Sequence, residues 1–208
     1  MHGSVLGDFT MQATRQTSPL AHVTRFDAAL AQDAAALADL AALSEGPDAA
    51  EALVAALWIG AASGVLQPAG VQGMLGTARA WRAAEDFGML ALRKIAGGDG
   101  PLARQATRDL RRSLAASRAG RLAAMASWAE HAAPTPGPGA MEENAARLLA
   151  RTGAAAGRAG GAAAQMRLSR LIEAAETAMA HAAAQAATDH AEASAPHPLA
   201  GGDFGPGP

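Results

Sequence analysis

The sequence contains no cysteine, no tyrosine and a single lysine, Lys94, beside sixteen arginines. Without cysteine, disulfide bonds, thiolate catalysis and cysteine-ligated metal sites are excluded. Without tyrosine, no phenol is available for acid–base chemistry. The preference for arginine over lysine, together with abundant alanine, is typical of coding in a GC-rich bacterial genome and says nothing about function.

Long hydrophobic runs are also missing. The longest largely apolar stretch, residues 53–66, spans 14 residues and includes two glycines and a serine. A transmembrane helix needs about 20 apolar residues, so no membrane span is expected. The first residues show no charged segment followed by an apolar core, so no secretory signal is expected either. These absences predict a cytoplasmic protein.

Alanine dominates what is present, with 60 of the 208 residues, whereas Leu, Val, Ile, Met, Phe and Trp together number 44. Alanine is the best helix former, and β-branched residues, which favour strands, are scarce. We therefore predict an all-α protein, an antiparallel bundle of five or six alanine-rich helices with disordered termini.

Proline and glycine clusters suggest where the helices end. The strongest turn signals are GGDGP at 97–101 and PTPGPG at 134–139. The first helix is predicted from Thr24 to about Ala42, and the second, from Pro47, has an apolar face so broad that it should lie centrally. The predicted organisation is a flexible segment 1–22, a bundle core 23–133, a linker 134–140, a C-terminal helix or hairpin 141–193 docked on the core, and a disordered tail 194–208.

Charge is distributed in blocks behind a formal net charge of −2. Acidic side chains exceed basic ones in residues 1–64 and 171–208, whereas residues 65–170 are strongly basic. The basic excess culminates in RQATRDLRRSLAASRAGR at 104–121. At about 100° per residue, its arginines form a stripe largely opposite the leucines. This basic stripe consists of Arg104, Arg108, Arg111, Arg112 and Arg118.

Three interpretations of the basic stripe remain open. It can pair with the acidic helices of the same chain or with an acidic partner protein, or it can bind nucleic acid or lipid. Nucleic-acid binding is disfavoured because no aromatic ring is interleaved to stack on bases. Lipid binding is disfavoured because bulky interfacial anchors are few. Pairing within the chain is the preferred interpretation.

Two charged residues interrupt apolar faces. Asp33 lies on the apolar face of the first predicted helix, and Arg121 lies among leucines rather than with the other arginines. Because an unpaired buried charge is costly, we predict an ion pair between Asp33 and Arg121. The alternative is that both side chains reach solvent.

Three glycines, Gly153, Gly157 and Gly161, recur every four residues and would share one helix face. Such spacing permits a close helix crossing. The alternative is a weakened helix middle, since each glycine costs about 1 kcal/mol relative to alanine.

Catalytic and metal-binding patterns are sparse. The six histidines form no HExxH, ExxH or HxH pair, so no metal site is predicted, and no cofactor is implied. Glu173 and Glu176 are best interpreted as solvated helical residues. The three tryptophans, Trp58, Trp81 and Trp128, could line a ligand pocket, although core packing explains them more simply.

The sequence favours a non-catalytic helical-bundle scaffold, adaptor or accessory subunit that acts through protein–protein contacts or self-association. One alternative is a surface-active protein coating lipid or storage-polymer granules, which resembles phasin-like proteins in composition only. The other is a small-molecule-binding or enzymatic helical bundle.

Overall fold

The computed structural model of the chain describes residues 19–44, 46–96, 100–152 and 161–194. Within these ranges it contains seven α-helices, one 3₁₀ helix and two short strands. In chain order they are α1 (Pro19–Leu30), α2 (Ala34–Leu43), α3 (Pro47–Ala62), β1 (Val65–Leu66), α4 (Pro68–Ala96), α5 (Pro101–Ala126), the 3₁₀ helix (Ser127–His131), β2 (Ala132–Ala133), α6 (Pro138–Thr152) and α7 (Ala162–Ser194). The predicted all-α fold class is confirmed.

The helix count exceeds the predicted five or six because the first predicted helix is broken. A turn at Ala31–Asp33 separates α1 from α2. The Asp33 carboxylate accepts hydrogen bonds from the amides of Ala35 (2.8 Å) and Ala36 (3.0 Å), and so caps α2. Aspartate competes with helical hydrogen bonding in this way and favours a helix start over a helix interior.

Helix α3 lies at the centre of the bundle, as its broad apolar face predicts. Every residue from Glu51 to Gly60 is buried. The helix packs most extensively on α6 and also contacts α5, α4, α7, α2 and α1. Large side chains from the surrounding helices complete the core, among them Phe26, Leu30, Met74, Leu122, Met125, Met141, Leu148 and Leu171.

The contact between α3 and α6 is close because Gly60 has no side chain. A Cβ atom on Gly60 would lie 2.6 Å from the backbone N and Cα of Met141. The amide of Gly137 also donates a hydrogen bond to the Gly60 carbonyl (3.0 Å). The crossing therefore depends on glycine at this position.

A small antiparallel bridge, which the sequence did not predict, joins β1 to β2. The fully buried Asn144 of α6 supports it: its Oδ1 accepts from the Leu66 amide (2.6 Å), and its Nδ2 donates to the carbonyls of Ala56 (3.2 Å) and Gly64 (3.0 Å). Gly64 has φ of +120°, and a Cβ there would overlap the Ala133 carbonyl oxygen. A left-handed glycine thus turns the chain out of α3.

Some element boundaries differ from the prediction. Helix α1 begins at Pro19, inside the segment predicted as flexible (1–22), and α6 begins at Pro138, inside the predicted linker (134–140). Helix α6 packs on α3, and α7 packs on α1 and α2, so both belong to the bundle. Residues 1–18 and 195–208, which were predicted to be disordered, lie outside the described residues.

Candidate interaction surface

The outer parts of α4 and α5 stand apart from the bundle core. We call residues 79–96 of α4 and 101–113 of α5 the hairpin end. These consecutive helices pack along one another. Among the hairpin-end side chains whose burial the structure describes, only Leu92 is buried. The hairpin end is therefore a mainly solvent-facing extension of two long helices.

Large apolar side chains are concentrated on this extension. The exposed fractions are 74% for Phe87, 50% for Leu90, 41% for Met89 and 86% for Leu102. In the remainder of the described chain, only Leu37 and Met166 are large, apolar and comparably exposed. Single exposed apolar residues are ordinary, but several on one element commonly mark an interaction surface.

The same extension carries an excess of positive charge. Seven of its exposed side chains are cations and two are carboxylates. The cations are Arg79, Arg93, Lys94, Arg104, Arg108, Arg111 and Arg112, and the carboxylates are Asp86 and Asp109. The first four arginines of the basic stripe thus face solvent, where Arg112 approaches Asp109 at 3.4 Å and Arg108 donates to Gln105.

Arg118, the last member of the basic stripe, instead points toward the bundle. Its Nε and Nη2 atoms donate to both Asp27 oxygens of α1 (2.9 and 2.8 Å), and its Nη1 donates to Glu51 of α3 (3.1 Å). The hydrogen bonds that Arg118 donates to Asp27 raise the pKa of Arg118, against the opposing effect of burial. The stripe is consequently divided between solvent and intramolecular pairing.

Arg121 completes a charged network beneath the hairpin end. Its Nε and Nη2 donate to the two oxygens of Glu51 (2.6 and 2.7 Å), and it also pairs with Glu85 of α4. Ser117 accepts from Arg121 (2.8 Å) and donates to Glu85. Only 12% of the Arg121 side chain and 8% of the Glu51 side chain are exposed. These contacts attach both hairpin helices to central α3.

A second ion pair joins α4 to α3. Arg82 donates through Nε to the Asp48 carboxylate at the start of α3 (2.8 Å). That hydrogen bond raises the pKa of Arg82. The base of the hairpin is therefore fixed to α3 through both of its helices.

The predicted ion pair between Asp33 and Arg121 is wrong. Asp33 is exposed and caps α2, whereas Arg121 takes its carboxylates from Glu51 and Glu85. The reasoning that Arg121 needs an acidic partner holds, but the partner was misidentified. Glu51 could have been noticed, because it shares a helical face with the apolar Ala55 and Trp58.

Another buried pair was also missed. Asp39 of α2, with 8% of its side chain exposed, accepts from Nε (2.9 Å) and Nη2 (2.8 Å) of Arg170 on α7. These hydrogen bonds hold the pKa of Asp39 below its usual value. Acidic residues of the segment 1–64 therefore pair with arginines of both α5 and α7, which lie far away in the sequence. Residue spacing does not encode such long-range pairs.

The possible close crossing at Gly153, Gly157 and Gly161 falls mostly on residues that the structure does not describe. Gly153 and Gly157 lie outside the described residues, and a Cβ on Gly161 would meet no atom within 4 Å. Within the described ranges, Gly60 is a glycine at which two helix backbones approach closely.

The three tryptophans do not share a pocket. Trp58 is buried in the core, Trp81 lies near Gly120, and Trp128 packs over Gly73 while donating to Thr77 (3.1 Å). A cavity of about 570 Å³ between α1 and α7 is lined by other residues, and the 2.6 Å ion pair Arg25–Asp189 lies at it. The lining of this cavity includes none of the three tryptophans.

Within the ranges described, no group of three or more His, Asp or Glu side chains is placed to hold a metal ion. In those same ranges, no helix is both long enough and apolar enough to cross a bilayer. Comparison of the chain with protein-family models, with curated proteins and with solved structures gave no match.

Proposed function

We propose that the protein is a non-catalytic helical-bundle adaptor or accessory subunit that binds an acidic partner protein through the hairpin end. The observation that carries this proposal is the coincidence of exposed apolar side chains and uncompensated cations on one extension. Burial of the apolar groups would supply binding energy, at roughly 25 cal/mol per Å² removed from water.

The excess of cations supports a partner of opposite charge. Complementary charge accelerates association and selects among partners more than it adds affinity. Because Arg118 and Arg121 are paired with Asp27, Glu51 and Glu85, the exposed arginines of α5 that are left for a partner are those of the hairpin end.

The network at the base supports the proposal in a second way. An element that is fixed before binding loses less conformational entropy when a partner is bound. Ion pairs from α5 to α1 and α3, and from α4 to α3, restrain the hairpin at its base. The hairpin end is therefore suited to present a preorganised surface.

A second candidate function is coating of an anionic lipid or storage-polymer surface. Exposed Phe87 and Leu102 beside arginines give it some support, since interfacial helices combine bulky apolar and basic residues. The small-molecule or enzymatic alternative has less support, because the tryptophans are dispersed in separate packing environments.

The test is co-purification from the source cells with wild-type protein and with the double reversal Arg104→Glu, Arg111→Glu. We expect the wild type to retain an acidic protein and the reversal to lose it. The matched control is Arg151→Glu, Arg167→Glu, which reverses two exposed arginines outside the hairpin end. Equal recovery with both double variants, or recovery of granule material in place of protein, would contradict the proposal.

A further inference from the structure

One face of α4 has the spacing of a helix-packing seam, and no helix of the described ranges packs on it. Residues 80, 83, 87, 90 and 94 follow one another at intervals of three, four, three and four. They are Ala80, Ala83, Phe87, Leu90 and Lys94, and all five are exposed. We call this set the α4 stripe. Such a repeat is how two helices in a coiled coil meet along a narrow line.

The α4 stripe is turned away from the rest of the protein. Glu85 contacts Ser117 and Arg121 of α5, and Leu92 is buried, so these residues mark the inner side of α4. At about 100° per residue, the α4 stripe lies roughly half a turn away from that inner side. Helix α5 therefore leaves this face uncovered.

The composition of the α4 stripe fits a helix as its occupant. Ala80 and Ala83 allow the backbone of a neighbouring helix to approach closely, while Phe87 and Leu90 provide anchors to insert between its side chains. A lipid surface would instead favour a broad sector of bulky groups. On this stripe the apolar side is narrow and half of it is alanine.

The charged residues around the α4 stripe indicate which kind of helix would dock there. Arg79 and Arg93 border the α4 stripe and Lys94 lies on it, whereas Asp86 is the one exposed carboxylate along this edge among the described residues. A second copy docked stripe to stripe would bring like charges together, which opposes self-association. A helix carrying glutamate or aspartate beside its apolar positions would instead complement these cations.

We propose that the α4 stripe is the docking site for an acidic amphipathic helix of the partner protein, with Phe87 and Leu90 as its anchors and Arg93 and Lys94 as its charge contacts. The inference rests on the proposed adaptor function and specifies the recognition element. It differs from general electrostatic attraction because it requires the apolar anchors in register on one helix.

The test measures fluorescence anisotropy of a labelled 21-residue peptide with leucine at the a and d heptad positions and glutamate at e and g. A scrambled peptide of the same composition is the probe control. The full chain should bind the heptad peptide at least tenfold more tightly than the scrambled one. Phe87→Ser, Leu90→Ser should weaken binding at least tenfold, and Arg93→Glu, Lys94→Glu should weaken it similarly.

The matched control variant is Leu37→Ser, Met166→Ser, which removes two exposed apolar side chains that lie outside the hairpin end and should leave binding unchanged. Equal binding of the two peptides, or unchanged binding by Phe87→Ser, Leu90→Ser, would overturn the inference. Binding to vesicles of phosphatidylglycerol and phosphatidylcholine that depends on the α4 stripe, without binding of the peptide, would also overturn it. A dimer detected by light scattering that Phe87→Ser, Leu90→Ser dissociates would overturn it as well.

The same variant separates this inference from the proposed function. If Phe87→Ser, Leu90→Ser still co-purifies the acidic protein that Arg104→Glu, Arg111→Glu loses, the adaptor function stands and the helix-docking inference fails. If wild-type protein retains no acidic protein at all, the proposed function itself fails.

Discussion

At the scale of single residues, the buried charges are where the fold is most sensitive. Glu51 is the carboxylate that α3 contributes to the centre of the bundle, and it receives hydrogen bonds from Arg121 and Arg118. A buried ion pair adds little net stability compared with apolar residues, but loss of one partner leaves the other charge unpaired at high cost. The network therefore fixes which helices meet more than it strengthens the bundle.

The first prediction concerns Glu51→Gln. Because Arg121 would lose its bidentate partner and keep only Glu85 as an acidic partner, we expect the free energy of unfolding to fall by about 2 kcal/mol. Glu176→Gln, at an exposed position of α7, should change it by less than about 0.5 kcal/mol. Urea unfolding measures both. Equal effects of the two glutamine variants would show that the network is dispensable.

The second prediction concerns pH. Because Arg170 lowers the pKa of Asp39 in the folded state, the unfolded chain takes up this proton first as pH falls. The stabilisation is thus fully present above the pKa of Asp39 in the unfolded chain, about 3.9. It is lost as the pH falls through the lower pKa of Asp39 in the folded protein.

Thermal melts of wild-type protein and Asp39→Asn across this range provide the measurement. The difference in Tm should be constant above about pH 5 and should shrink steadily as the solution becomes more acidic. A difference that is the same at every pH would show that the Asp39 charge does not contribute.

At the scale of elements, small residues determine how closely helices meet. Alanine supplies helix propensity throughout, but the contact between α3 and α6 requires the complete absence of a side chain at Gly60. Asn144 then fixes α6 to the end of α3 through buried hydrogen bonds with backbone groups, each of which would be costly to leave unsatisfied.

The third prediction compares two glycine-to-alanine changes. Gly60→Ala should destabilise the protein by about 2 kcal/mol or more, since its Cβ would collide with the Met141 backbone. Gly76→Ala, on α4, meets no atom within 4 Å and should stabilise by up to about 1 kcal/mol through helix propensity. Chemical denaturation measures both, and the account of the crossing fails if the two changes have the same sign.

At the scale of the whole molecule, a buried central helix is surrounded by six others, and two of these extend outward as the hairpin end. The blocky charge of the sequence acquires a structural meaning here. Acidic residues of α1 and α3 are paired with the inner arginines of α5, so the outer cations remain uncompensated. An exposed surface with an excess of positive charge is thereby left at one end of the bundle.

The sequence predicted the helical class, the central position of α3 and its start at Pro47, because propensity and turn signals act locally. It did not predict the break at Asp33, because the same aspartate is consistent with a helix interior or a cap. The partner of Arg121, the seam at Gly60 and the role of Asn144 depend on contacts between residues far apart in the chain, which periodicity does not contain.

The central claim is that the hairpin end contacts a protein partner, and site-specific photocrosslinking in the source cells tests it most directly. Phe87 is replaced by photoreactive benzoylphenylalanine, with Met166, equally apolar and exposed on α7, replaced in a parallel variant. The account predicts a covalent adduct with an acidic protein from position 87 and none with that protein from position 166. A protein adduct from position 166 alone, or only lipid adducts from position 87, would contradict it.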